Sequence, residues 1–263
     1  MALRKRSSWQ VFRSVVFALI VRELRTRFGK WRLGYVWAIL EPLLSITVLV
    51  LVVTFLRGRS PWFGIPVPVF VAVGFMLFFF FRILSVAAVN AITANSALFG
   101  YRQVKPFDTL VARMILETII FLGSALAIMF IGHWFFGLDV IPYDPIRAMA
   151  VVVLMVIVGF GLGLLFSVLG ALNPEAAKLV PLMNRPLLFL SCVMYPLAAV
   201  PEHLRPFILW NPLVHAIEQF RLAMFPFYPA DGTSLFFLFQ WAIVSMALGT
   251  LVYMAKRHKL VAT

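Results

Sequence analysis

Residues able to do chemistry are sparse in this 263-residue chain, and their spacing excludes more than it offers. Its four histidines, His133, His203, His215 and His258, are scattered with no metal-ligand spacing. The run Gly159-Phe-Gly-Leu-Gly163 lies in apolar sequence and lacks the Lys-Ser/Thr ending of a phosphate-binding loop. Carboxylates such as Glu117 stand without the second acid, or the His-Asp arrangement, that a membrane glycosyl- or acyltransferase needs. What remains is charge embedded in apolar sequence: Glu41 beside Pro42, Arg82, Arg113 with Glu117, and Arg185 between Asn184 and Pro186. An ionisable side chain at membrane depth is costly, so each is a functional candidate by default. Glu41 has two readings: an acid held beside a helix breaker for function, or a partner for a nearby arginine that pins the helix entry angle. Arg113 and Glu117, at i,i+4, are spaced to neutralise each other on one helix face.

Composition defines the elements that must position these groups. Hydrophobic residues make up 63% and charged residues 13% of the chain, against about 25% charged in a soluble domain, so this is an integral membrane protein. The net charge of +13 does not indicate nucleic acid, because the cations cluster at both termini and in one loop between apolar runs. The single cysteine, Cys192, excludes an intrachain disulfide. No cleavable signal is expected, since an amphipathic segment precedes the first apolar run.

Residues 1–34 read as a basic amphipathic helix in the interface plane followed by a turn, with Val11, Val15, Ala18, Leu19 and Arg22 at helical spacing. Arg25, Arg27, Lys30 and Arg32 suit a cytoplasmic surface, and Tyr35 and Trp37 mark the headgroup level. Spans are expected at about 35–56, 67–92, 109–136, 146–172, 179–195 and 235–255. The first should loosen at Pro42. In the second, the phenylalanine run ending at Phe81 is expected to supply lipid-facing and packing mass, with Ser85, Asn90 and Thr93 on the face of Arg82. The fourth carries a small-residue ladder, Gly159, Gly163, Ser167 and Ala171, for close helix approach. The fifth is expected to be interrupted at Pro181 and around Arg185, which must then face protein or a water-filled cavity. Six prolines between Pro196 and Pro229 exclude a full span there. Two short pieces, about 202–209 and 213–225, suggest a re-entrant hairpin whose polar side carries His215, Glu218 and Arg221. With both termini inside, 15 of the 23 basic residues fall in inner segments and five in outer ones, among them Arg57, Arg59 and Arg221.

Three separated motifs carry a resemblance: RELRTRFGKWRLGYVWAILEP, LFGYRQVKPFDTLVARMILE, and YPLAAVP followed by LRPFILWNPLVHAIEQFR. The chain resembles the membrane subunit of ABC-2 type polysaccharide exporters, most closely the inner-membrane permeases of group 2 capsular polysaccharide export. The resemblance covers nearly the whole chain. It implies an all-α membrane protein with an N-terminal interface helix, a transmembrane domain over 35–263 with six spans, and re-entrant helices at about 196–229. It also implies a homodimer working with two copies of a separate ATPase that holds ATP and Mg, so that this chain is no enzyme and binds no cofactor. A periplasmic adaptor, an outer-membrane exporter and a lipid-linked, acidic polysaccharide complete the implied system, in a bacterial inner membrane with no nucleic acid partner. O-antigen, teichoic acid or another lipid-linked cargo is the alternative within the class, and a membrane-embedded transferase the remote one outside it. The segment 94–105 would be the coupling helix received by the ATPase, through Asn95, Leu98, Phe99, Tyr101, Arg102 and Lys105. The substrate path would take cations and an acid from Arg25, Arg27, Arg32, Glu41, Arg82 and Arg185, and sugar-stacking rings from Tyr195, Trp210 and Phe220.

Overall fold

The computed structural model describes residues 7–28, 34–58, 61–138 and 140–262. Lys30, Arg32, Arg59 and the side chain of Tyr35 lie outside the described residues. Every named element among the described residues is helical, and the only strand-like feature is an isolated bridge between Trp62 and Ile65. The α-helices are α1 (Ser8–Phe28), α2 (Gly34–Arg57), α3 (Val67–Val89), α4 (Pro106–Phe136), α5 (Pro145–Leu172), α6 (Pro174–Leu190), α7 (Arg205–Ile208), α8 (Pro212–Met224) and α9 (Leu235–Ala262). Short 3₁₀ turns occupy Thr93–Leu98 and Leu197–Ala199. Five helices, α2, α3, α4, α5 and α9, are long and apolar enough to cross a membrane.

Several helix starts share one local device. Asp144-Pro145, Asn173-Pro174 and Asn211-Pro212 each place an Asx side chain at the cap and proline in the first turn. The caps accept from the backbone N–H groups of Arg147, Glu175 and Leu213, at 3.0 Å each. Proline has no N–H to leave unsatisfied there, so the pairing begins a helix cleanly. The prolines inside α6 do not interrupt it as expected. Pro181 and Pro186, like Pro42 in α2, sit within continuous helix, each removing one backbone donor from it. The expected fifth span is thus one continuous helix of 17 residues, beginning and ending earlier than 179–195.

The phenylalanine run turns inward rather than to lipid. α3 is the central helix, and Phe70, Phe75, Phe78, Phe80, Phe81 and Leu84 are buried, with Phe80 stacked on Phe121 of α4 at 3.9 Å between centroids. The small-residue ladder of α5 also finds its partner in α3. A Cβ on Gly159 would meet Leu84, and one on Gly163 would meet Ala88, both at 2.8 Å. The tightest approach lies on another face of α5. A Cβ on Gly161 would overlap the backbone of Ser245 and Met246 of α9, and one on Gly249 would overlap the Gly161 carbonyl. Backbone contact of this kind is what small residues permit between membrane helices.

The bundle has two chemically distinct ends. At one, α1, the turn after α3, the α5–α6 junction and the end of α9 meet: Arg22 donates to Asn95, and Phe99 packs with Val168 and Leu260. Arg25, Arg102, Lys105, Lys178, Lys256 and Arg257 make this the basic end. At the other, the Asp144 N–H donates to Ala223 O at 2.9 Å, and Tyr228 packs with Phe63 and Phe70. Exposed Trp134, Phe135, Phe136, Tyr143 and Phe227 make it the aromatic end.

Candidate functional site

Near the basic end, α1, α2, α3, α4 and α6 enclose a groove of about 890 Å³. It brings together Arg27, Glu41, Arg82 and Arg185, four residues singled out from widely separated stretches of sequence. α2 and α6 form its flanks, and the Phe78–Asn90 face of α3 forms part of its floor. Arg82 and Arg185 are exposed along it, and neither has an ion-pair partner among the described residues. The Arg82 guanidinium lies 5.6 Å from the Phe79 ring centroid. Next to Arg185, Asn184 is buried and donates to Ser85 Oγ at 3.2 Å, fixing the rotation of α6 on α3. Glu41 is exposed and makes no ion pair with any described residue. Two exposed arginines without an acidic partner among the described residues give the groove guanidinium forks of the kind that hold anionic groups.

The opposite wall is neutralised, and here the expected i,i+4 pairing gives way. Glu117 accepts from Arg27 of α1 at 2.6 Å, and Arg113 pairs with Glu23 of α1 at 2.9 Å. Glu117 is only 3% exposed, so its charge requires a close, hydrogen-bonded cation. α1 offers an acid and a base one turn apart, Glu23 and Arg27, so each residue of α4 takes a partner from α1 instead of its helical neighbour. Arg27 is therefore committed to a pair, while Arg25 is exposed and does not line the groove.

The same helix grips the turn between α3 and α4. Asn95 is buried, receives Arg22 and donates to Ala91 O at 2.7 Å. Leu98 packs with Val16, Leu19 and Ala112, and Phe99 with Ile92, Val168 and Leu260. Leu98 and Phe99 thus face into the protein, contrary to their expected exposure. Tyr101, at 67% exposure, projects outward, and Arg102 and Lys105 are exposed beside it. The Lys105 N–H donates to Asp108 at 3.0 Å, closing the turn onto α4.

The three ring candidates do not converge. Trp210 is 76% exposed, Tyr195 donates its hydroxyl to Phe189 O at 2.6 Å, and Phe220 is in the core at 5% exposure. Phe220 is enclosed because α8 is no surface helix. Leu213 through Arg221 are buried in unbroken sequence. Arg221, assigned above to an outer loop, is fully buried. It donates to Cys192 O at 2.8 Å, Val193 O at 2.6 Å, Tyr195 O at 3.3 Å and Glu218 Oε1 at 2.8 Å, with its guanidinium 3.7 Å from the Phe70 ring centroid. Tyr228 donates to the other Glu218 oxygen at 2.7 Å. Gly74 makes room, since a Cβ there would come 2.7 Å from Arg221. His215 is structural too, bridging Leu209 O at 2.8 Å and the Ser234 N–H at 3.0 Å. The sequence placed Glu218 and Arg221 on the polar side of a short helix, and their burial and mutual bonding are what it did not show. The available signal was Glu218 and Arg221 at i,i+3 in a helix otherwise poor in polar residues. Among the described residues no cluster of three or more His, Cys, Asp or Glu could hold a metal ion.

Comparison with known proteins gives the class of this apolar helical bundle with its cationic groove and gripped turn. The family model described as ABC-2 type transporter matches residues 14–225, which take in most of α1, the groove, the turn, and Glu218 with Arg221. The chain belongs to the ABC-2 type transporter family. It is 39% identical to the polysialic acid transport protein KpsM of Escherichia coli over 253 residues, covering 96% of this chain and 97% of that protein. It is 30% identical over 258 residues to the capsule polysaccharide export inner-membrane protein CtrC of Neisseria meningitidis serogroup B, covering 93% and 96%. Over 213 residues it is 28% identical to the capsule polysaccharide export inner-membrane protein BexB of Haemophilus influenzae, covering 80% and 79%.

Proposed function

We propose that this chain is the permease subunit of an ATP-driven exporter that moves a lipid-anchored, acidic capsular polysaccharide across a bacterial inner membrane. The similarity to KpsM and CtrC along nearly the full length of all three chains carries the reading. The permease works as a homodimer with two ATPase subunits, which hold ATP and Mg, and hands its polymer to a periplasmic adaptor and an outer-membrane exporter. The basic end is cytoplasmic, with both termini inside; α6 counts as the fifth of six crossings, and α7 and α8 form the re-entrant element. The position of α8 supports that element. Asn211 at its start donates to Leu190 O at the end of α6, while Ala223 near its end meets the start of α5.

In this scheme Arg82 and Arg185 receive anionic groups at the inner mouth, and a second copy across α2 and α6 completes the channel. Force enters at the turn 93–105. Arg22–Asn95 passes it to α1, whose Glu23, Thr26, Arg27 and Phe28 form one wall of the groove. Exposed Trp210 is available to stack on a sugar face.

The test is surface polymer in cells carrying Arg82→Gln with Arg185→Gln. Export should fall about tenfold or more while the ATPase still co-purifies, and the Lys variants should retain part of it, since a bidentate fork is lost but charge is kept. Wild-type export by the double Gln variant overturns the groove assignment. Orientation is checked separately with an impermeant maleimide in intact cells. Cys192 is buried and at φ +54°, so Cys192→Gly gives a silent background compatible with its backbone. A cysteine at Tyr143 should label and one at Arg102 should not; the reverse pattern inverts the topology.

A further inference from the structure

We infer that the surface receiving the ATPase is composite: the turn 93–105 together with the C-terminal end of α9, facing acidic side chains on the partner. The inference rests on the coupling role proposed for the turn. Size is the first reason. A stable protein interface engages about 20–30 residues a side, more than the turn supplies, and Asn95, Leu98 and Phe99 are already spent on internal packing. A partner seated on Tyr101 must therefore spread onto whatever stands beside it.

One of the elements beside it, with α1 and α5, is the end of α9. Leu260, near the end of α9, is 3% exposed and shares a cluster with Phe99, two residues before Tyr101. Lys256, Arg257 and His258 are exposed on the same last turns. Charge identifies the chemistry. Neither 93–105 nor 235–263 contains a single Asp or Glu, and Arg102, Lys256 and Arg257 have no ion-pair partner among the described residues. An exposed tyrosine followed by Arg102, with Lys256 and Arg257 on the adjoining helix end, matches an apolar cleft with an acidic rim, in which rim charges set the encounter rate and its salt dependence.

The test titrates the ATPase subunit onto the full-length permease in nanodiscs of phosphatidylcholine, and again with anionic phosphatidylglycerol added. Lys256→Glu with Arg257→Glu should weaken binding about tenfold or more in both lipids and flatten its salt dependence. Lys256→Gln with Arg257→Gln, which is less disturbing to insertion, should fall between this and wild type. Tyr101→Asp is the reference. If Tyr101→Asp releases the ATPase and both pairs of α9 variants bind as wild type, the composite surface is overturned and the turn stands alone. A defect confined to anionic lipid assigns these cations to headgroups and likewise overturns it. If Tyr101→Asp is also silent, the coupling role itself falls.

Discussion

Replacing Tyr101 with aspartate should release the ATPase and abolish export while leaving the permease folded and inserted. The side chain is 67% exposed on a turn whose other large apolar groups are turned inward. A buried aromatic anchor in a partner's cleft contributes about 2 kcal/mol or more, so affinity should fall by roughly 30-fold or further. Phe99→Asp is a poorer probe, because Phe99 packs on Leu260 and Val168 and its loss would also loosen the bundle. Tyr143→Asp, an equally exposed tyrosine at the opposite end, is the control and should leave ATPase binding unchanged. ATPase co-purification and surface polymer are the two readouts. Retention of both at wild-type levels by the Tyr101 variant would reduce the turn to a connection.

Arg221→Met should be the most destabilising single change among the charged residues. It would strand the Glu218 carboxylate, fully buried, and leave the carbonyls of Cys192, Val193 and Tyr195 without their donor. Breaking a buried ion pair by removing one partner costs about 3–5 kcal/mol. The turn after α6, where Cys192 is held at φ +54°, would lose its attachment to α3 and α8. Thermal unfolding in detergent should show a large drop in Tm for Arg221→Met, and partial recovery for Arg221→Met with Glu218→Gln, which removes the stranded charge. Arg82→Gln, at an exposed position, should leave Tm nearly unchanged. An Arg221→Met protein that accumulates and melts like wild type would mean that this cluster does not hold the turn.

Hydropathy along the chain located four long helices to within three residues and a fifth, α9, that runs seven residues past its expected end, and no long helix lies among the prolines between 196 and 229. The groove was legible in part: Arg82 and Arg185 stood out because charge in apolar sequence is costly wherever it lies. Their convergence with Glu41 and Arg27 was not legible, because nothing in the spacing of residues 27, 41, 82 and 185 says which helices are neighbours.

What the sequence determined by itself are quantities that add up along a segment. Apolar length sets which helices are long enough to cross a membrane, Asx-Pro pairs start helices, and clustered cations mark one end of the bundle. Tertiary structure decided everything that depends on lateral contact. Glu117 had an available partner in Arg113 one turn away, yet both pair with α1, because an i,i+4 pair is worth only about 0.2–0.5 kcal/mol and α1 supplies both signs at once. The phenylalanines of α3 carry no mark of facing lipid or protein; they are buried because neighbouring helices close over them. Hydrophobicity drives a segment out of water but is indifferent between lipid and protein, so close packing and hydrogen bonds choose the interior face, and those exist only once the helices have met.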